Sequence, residues 1–522
     1  MTESTSTRRL APAAWIGALV AASGALVFIA LTKRVVGGFG LPLDDSWIHL
    51  QFARSLALGS GLAFEPGQLV PASTAPLWTA VLSLAARLPG PAALWSQIAG
   101  TLAFASAAVV LHGLARDLGF GRQLSALATL LYALSGHLVW SAVSGLEVPL
   151  FVLLTLTASR IHLRDRDSGR GIALSLPLFA LASLARPEGL LLLLLALVDR
   201  GLAVRFRPSE WWRGMRKGLL VSAVVLVPVV AFNVLASGSL LPTTFAAKSG
   251  GVHSLWPSLR YLHTVFGILF RSQPYMTLLV GAGAVVLAQR LFTQRDRGVL
   301  PALWVLGLPL AYSCLSPPGS TLVGNFGRYY FPLLPFVIVL GCLGLVPVVE
   351  RLGALNPAWR RVAMAVAFLL IAWPTVAHLR TTAGQFAQSV RDVETGDGAA
   401  ARWLENRLAP GSTLAVNDIG LIKFILPEHR MYDLAGIVTP EVHHYTRSAV
   451  GRGESWETGI ARYLERVRPD YLVVFPDWFP GLLASEVSFA PLKEFVVVGN
   501  STLGGDRLVI YETPWTRQKQ IE

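Results

Sequence analysis

The chain has 522 residues, of which 53% are hydrophobic and only 14% charged, and its mean hydropathy is +0.54. This make-up lies outside that of soluble domains and reads as a polytopic α-helical membrane protein. The net charge of +13 sits mostly in short segments between hydrophobic runs, which argues against a nucleic-acid surface, and the two cysteines, Cys314 and Cys342, lie in apolar runs and offer no disulfide framework.

A membrane span needs roughly 20 apolar residues, fewer where protein covers a helix end. Such segments fall at 13–32, 92–115, 123–142, 149–162, 171–185, 189–204, 218–236, 275–293, 299–316, 329–349 and 362–378, which predicts about eleven transmembrane helices. The first is flanked by Arg8 and Arg9 before it and Lys33 and Arg34 after it, with no clear small-residue cleavage site, and reads as a retained anchor. Pro76 to Leu88 reads as a helix at the membrane surface.

With the N-terminus cytoplasmic, the inside loops carry the basic clusters Arg116 and Arg122, Arg160 to Arg170, Arg200 to Lys217, Arg290 to Arg297, and Arg351 to Arg361. The opposite loops carry Asp44, Asp45, Glu147, Glu188, Lys248 and Arg328, and the positive-inside rule places them on the outer, periplasmic face of a bacterial cytoplasmic membrane. After residue 378 the apolar runs shorten to strand length in "STLAVND", "DYLVVFP", "EFVVVGN" and "RLVIYE". The expected organisation is therefore a transmembrane domain over 1–378, with a first periplasmic loop at about 33–91, followed by a periplasmic α/β domain over 379–522. From Arg380 onward lie 18 of the 31 acidic residues but only 15 of the 44 basic ones, so this domain is near −3 and the membrane part near +16.

Three acidic sites share the outer side. In "LPLDDSWIHLQFARSLALGSG", residues 46–58 read as a helix for which Asp44 or Asp45 is a suitable cap, and Asp45 and His49 stand four residues apart on one face. Capping needs only one carboxylate, and a pair at a membrane surface is costly unless solvated, paired or used. "SGLEVPLF" places Ser144 and Glu147 at capping-box spacing, and "ARPEGL" turns one apolar run into the next with Arg186 and Glu188. Lys248 in "LPTTFAAKSG" and Arg328 in "NFGRYYFPLLP" supply cations on the same side, suited either to an interfacial belt or to a phosphate. The loop 61–80, rich in turn formers and ending at Pro76, Leu77 and Trp78, reads as an ordered segment re-entering the interface. There is no HExxH, P-loop, GxGxxG after a strand or GxSxG, so nucleotide chemistry is unsupported.

The stretch "LDDSWIHLQFARSLALGSGLAFEPGQLVPASTAPLW" resembles the first periplasmic loop of GT-C glycosyltransferases, in particular the bacterial group that includes mycobacterial arabinofuranosyltransferases of the AftB type. "SGLEVPLF", "ARPEG", "LPTTFAAK", "GRYYFPLLP" and "NDIGLIKFILPEHRMYDLAGIVTPEV" resemble further blocks of that group in the same order. The resemblance implies inverting transfer of a sugar from a polyprenyl-phosphate donor to an extracytoplasmic acceptor in the cell envelope, a glycan, lipid or protein, with Asp44 or Asp45 as general base. Among these, Asp44 is the expected base, Asp45 positions it or a cation, and Glu147 positions the acceptor or joins Asp45 in a divalent-metal site. Lys248, Arg186 and Arg328 would stabilise the leaving phosphate, and His49, Glu188 and Trp78 complete the expected substrate-binding set. The competing reading is a transporter or flippase for a glycolipid, which would place its polar groups near the bilayer midplane rather than at one interface.

Overall fold

The computed structural model describes residues 12–65, 67–168, 174–240, 242, 258–292, 298–315, 325–353, 356–485 and 487–516. Among these, six helical segments are long and apolar enough to cross a membrane: Pro12–Val36, Ala92–Asp117, Pro208–Ser237, Pro274–Leu291, Gly327–Arg351 and the apolar part of Pro357–Glu405. The expected span at 123–142 is a bent pair, Arg122–Ala133 and Gly136–Val143, which turns by 53° and makes a seventh if counted as one. The other four expected spans are helical as well, but fall short of that standard. Ser175–Ser183 has nine residues, Gly189–Ala203 has 15, Leu300–Leu315 has 16, and the 21-residue Val148–Ser168 ends in charged residues.

The helices pack through small residues that let backbones approach. A Cβ on Gly100 would lie 2.1 Å from the Ala142 carbonyl oxygen, and one on Gly283 would lie 2.0 Å from that of Leu340. Leu259–Ser272, between two expected spans, is an amphipathic helix that buries Tyr261, Val265, Ile268 and Leu269 against this bundle.

The C-terminal part forms a five-stranded sheet. With β1 (Ala63–Glu65) and β2 (Gln68–Leu69) making a small antiparallel hairpin in the first loop, the sheet contains β3 (Thr413–Val416), β4 (Arg430–Asp433), β5 (Tyr471–Val474), β6 (Ala490–Val496) and β7 (Arg507–Glu512). The strand order is β4-β3-β5-β7-β6, parallel across β4, β3 and β5 and antiparallel across the rest. Leu414, Ala415 and Val416 are wholly buried, as expected of an inner parallel strand covered on both faces. The Trp456–Val467 helix covers the sheet with Ile460, Tyr463 and Leu464.

The first loop joins the two parts. In the Asp44–Ala57 helix, Ile48 and Phe52, one helical turn apart, enter the core of the C-terminal domain beside Leu414 and Val416, while Trp47 and Leu50 pack with Trp78 and Leu82. Polar contacts follow the same seam. Arg54 donates to the Phe424 carbonyl at 2.9 Å and stacks over its ring, and Lys423 donates to Glu65 Oε2 at 2.8 Å.

Candidate active site

The Asp44–Ala57 helix starts with both aspartates, but neither caps it: its N-cap is Leu43, with no side-chain hydrogen bond. Asp44 instead caps a different helix. Its two oxygens accept the backbone N–H groups of Gly420 (2.8 Å) and Leu421 (3.0 Å), at the start of the Gly420–Ile425 helix of the C-terminal domain. Only glycine fits there, since a Cβ on Gly420 would stand 2.3 Å from the Asp44 carbonyl oxygen. Burial pushes the Asp44 carboxyl up to about 7; the two N–H groups oppose that rise, and the nearby Asp45 and Asp433 add to it.

Asp45, one residue on, faces a different way and lines a cavity of about 330 Å³. There its Oδ2 accepts from Arg328 Nη2. Arg328 comes from the 3₁₀ segment Asn325–Leu333 and lies over the Tyr329 ring, 5.4 Å from its centre. His49, on the same face as Asp45, reaches Glu147 Oε2 at 3.3 Å.

Glu147 is delivered by a tight turn. Gly145 has φ +81°, and a Cβ there would meet Leu41 at 2.9 Å, so the turn needs glycine. The Gly145 carbonyl accepts from Trp78 Nε1 at 2.8 Å. Ser144 Oγ receives the Leu146 N–H, while the Glu147 side chain turns away from the helix end to Arg186 Nη1, at 2.5 Å. Burial works to raise the Glu147 carboxyl, but Arg186 and His49 outweigh it and hold the group at about 2.

Arg186 and Glu188 belong to a turn between two short helices. Gly189 closes that turn, where a Cβ would lie 2.4 Å from the Ser183 nitrogen. Arg186 donates to Glu188 Oε1 from Nε (3.1 Å) and Nη2 (2.6 Å), and the same oxygen accepts from the Tyr312 hydroxyl. Glu188 Oε2 is buried beside the cavity without a hydrogen-bond partner among the described residues.

Five charged groups from four separate segments therefore meet at one cavity: Asp45, Glu147, Arg186, Glu188 and Arg328. Leu191, Leu194, Leu308, Ala311 and Leu315 add apolar lining, and Ile437 of the C-terminal domain lines the cavity as well. Asp433 holds the Ile437 loop in place by accepting the N–H groups of Ala435 (2.8 Å) and Val438 (2.9 Å).

Of the residues singled out from sequence, Asp45, His49, Glu147, Arg186, Glu188 and Arg328 line this cavity. Asp44 does not line it and is instead the clamp on the C-terminal domain, and Trp78, 1% exposed, supports the Glu147 turn. Lys248 lies outside the described residues. Among the described residues no group of three or more His, Cys, Asp and Glu side chains is arranged to hold a metal ion, and Asp45 and Glu147 face arginines rather than each other. Tyr312, Tyr329 and Ile437 were not singled out. For Tyr312 the available signal was a hydroxyl set in the apolar run "GLPLAYSCL".

Several solved structures share this architecture. ArnT from Cupriavidus metallidurans, bound to undecaprenyl phosphate, superposes with a TM-score of 0.59 at 16% identity, covering 96% of this chain and 98% of its own. The oligosaccharyltransferase AglB from Archaeoglobus fulgidus, in complex with an inhibitory peptide and a dolichol-phosphate, gives 0.55 at 11% identity, covering 96% of this chain and 76% of its own. The chain shares the fold of these two structures. Within that fold, residues 382–514 match the family model described as Domain of unknown function (DUF8728), which spans the last turns of the long Pro357–Val393 helix and the sheet domain. No curated protein matches the chain by sequence.

Proposed function

We propose that this protein transfers a sugar from a polyprenyl-phosphate donor to an acceptor hydroxyl on the outer face of the cytoplasmic membrane. The observation that carries this reading is the cavity itself, where two arginines and three carboxylates meet an apolar lining in a fold whose relatives hold undecaprenyl phosphate and dolichol-phosphate. An arginine fork matches phosphoryl oxygens, and the apolar lining suits the first isoprene units of the lipid.

The charges also supply an order of events. In the resting site Arg328 is paired with Asp45. A donor phosphate that takes Arg328 releases the Asp45 oxygen towards the acceptor. The acceptor hydroxyl oxygen then bonds to the anomeric carbon, its proton passes to Asp45, and the bond from the anomeric carbon to the phosphate oxygen breaks with its electron pair on the phosphate. Arg328, helped by Arg186, stabilises that charge as it develops. Direct attack inverts the anomeric centre. Glu188 Oε2 accepts a hydroxyl of the transferred sugar, and Glu147 keeps Arg186 in place. In this reading the base is Asp45 rather than Asp44, because Asp45 lines the cavity and both Asp44 oxygens are engaged by Gly420 and Leu421.

The test uses purified full-length protein in nanodiscs, a panel of radiolabelled polyprenyl-phosphate sugars and an envelope extract as acceptor. Label should move to the extract with wild type, and Asp45→Asn should lower the rate by about 10²- to 10⁴-fold, the usual contribution of a general base. Full transfer by Asp45→Asn removes the base assignment. Flux of a donor lipid across liposomes with no new glycosidic bond favours a transporter.

A further inference from the structure

A second cleft, of about 550 Å³, lies outside the first where the loop hairpin meets the edge strand β4. Its volume is in the range of about 300–1,000 Å³ typical of ligand sites. The hairpin contributes Gln68 to one wall, and Arg430, Tyr432, Tyr463 and Arg466 form the other.

Three features define what this cleft would hold. The half-buried Tyr432 is backed edge to face by the buried Tyr463, 6.2 Å between ring centres, and carries the Arg430 guanidinium over its ring at 5.3 Å, so a tyrosine and a planar donor are fixed together. Charges on the lining balance, with Arg430 and Arg466 against Glu65 and Glu441. Arg466 donates to the Tyr445 hydroxyl at 3.0 Å, and Glu65 is tied to Lys423 and to the Met431 N–H, so the cleft has no concentrated positive field to select a phosphate. A phenol with an apolar body and a polar tip suits the mixed surface of a sugar, and guanidinium and amide groups suit its hydroxyls.

The two cavities share their partition. Val70 and Val438 line the outer cleft, while Ala72 and Ile437, two residues and one residue away along the same stretches, line the inner cavity. Val70 and Ala72 are at most about 7 Å apart along an extended chain. We infer that the outer cleft binds a neutral oligosaccharide acceptor next to the transfer site. The inference rests on the transfer reading and adds the class of acceptor.

The experiment measures binding rather than turnover. Full-length protein in nanodiscs, without donor, is titrated by saturation-transfer NMR with neutral hexasaccharides of glucose, mannose, galactose and arabinose, and with a hexuronate as the anionic control. At least one neutral hexasaccharide should bind. Tyr432→Ala on one wall and the exposed Gln68→Ala on the other should each weaken it by about tenfold or more, or about 1.4 kcal/mol. Binding by none of the neutral sugars, preference for the hexuronate, or affinity unchanged in both cleft variants overturns the inference. Failure of the transfer reading is seen separately, as no sugar moving from any donor in the panel.

Discussion

Replacing Asp44 by alanine removes both acceptors from the first turn of the Gly420–Ile425 helix. The two hydrogen bonds, 2.8 and 3.0 Å, join residues on opposite sides of the seam between the membrane part and the C-terminal domain. Loss of a side-chain cap costs about 0.5–2 kcal/mol, which corresponds to a rise of about 2- to 30-fold in the opening of that turn. Amide hydrogen exchange read on peptides covering residues 417–426 should show this, with peptides from β7 unchanged. The pH dependence adds a second, independent sign. With Asp44 pushed up to about 7 by burial against 3.8 for the free carboxyl, the separated loop ionises between about pH 4 and 7 while the seated carboxyl keeps its proton. The contact therefore weakens as pH rises across that window and levels off above about 7. Asp44→Asn removes this titration. Exchange at 417–426 that is indifferent to Asp44→Ala, or a wild-type contact that tightens from pH 4 to 7 relative to Asp44→Asn, would refute the clamp.

Arg328→Lys keeps the charge but loses the planar fork, so the apparent donor KM should rise by about tenfold or more while the protein stays inserted; an unchanged donor requirement excludes Arg328 from phosphate binding. Glu147→Gln leaves buried Arg186 with one carboxylate fewer and should destabilise the protein by about 3–5 kcal/mol, read as a fall in Tm. In wild type the Glu147 contribution, about 3 kcal/mol from a carboxyl held at about 2 against 4.5, is complete above about pH 4.5 and is lost as pH falls towards 2, and the Gln variant should lack that acid slope. Gly283→Ala would force its Cβ into the Leu340 carbonyl and should cost about 1–3 kcal/mol by overpacking, without changing donor KM in the protein that remains folded.

Much of the site was legible because its charges interrupt apolar sequence. Asp45, Glu147, Arg186, Glu188 and Arg328 each stand where an apolar run breaks, and no polar group stays near a membrane without a partner or a use. Which carboxylate meets which arginine was not legible. Asp45 and Arg328 are 283 positions apart, and pairing at that separation is set by how the helices pack. The Asp44 role was hidden for the same reason, since a cap is sought on the helix that follows it, not on one near the other end of the chain. In the fold, the strands at 413–416, 471–474 and 507–512 announced themselves as apolar runs, whereas β4, "RMYD", has Arg430 exposed and Asp433 spent on its own loop. The helix Leu259–Ser272 escaped because its apolar residues occupy one face, so that its average hydropathy falls below that of a span.

The clamp between Asp44 and Gly420 also has a meaning in time. Every charged group named in the inner cavity lies at or before Arg328, and the helix that seats on Asp44 is made 92 residues later. At the usual pace of about 5–20 residues per second, roughly 5–20 s of synthesis separate them. During that interval the nascent chain carries the donor-side groups with Asp44 lacking its seat, and Ile437 has not been made to complete the cavity lining. The seat of Asp44 is thus supplied only after all the charged groups of the inner cavity have been made.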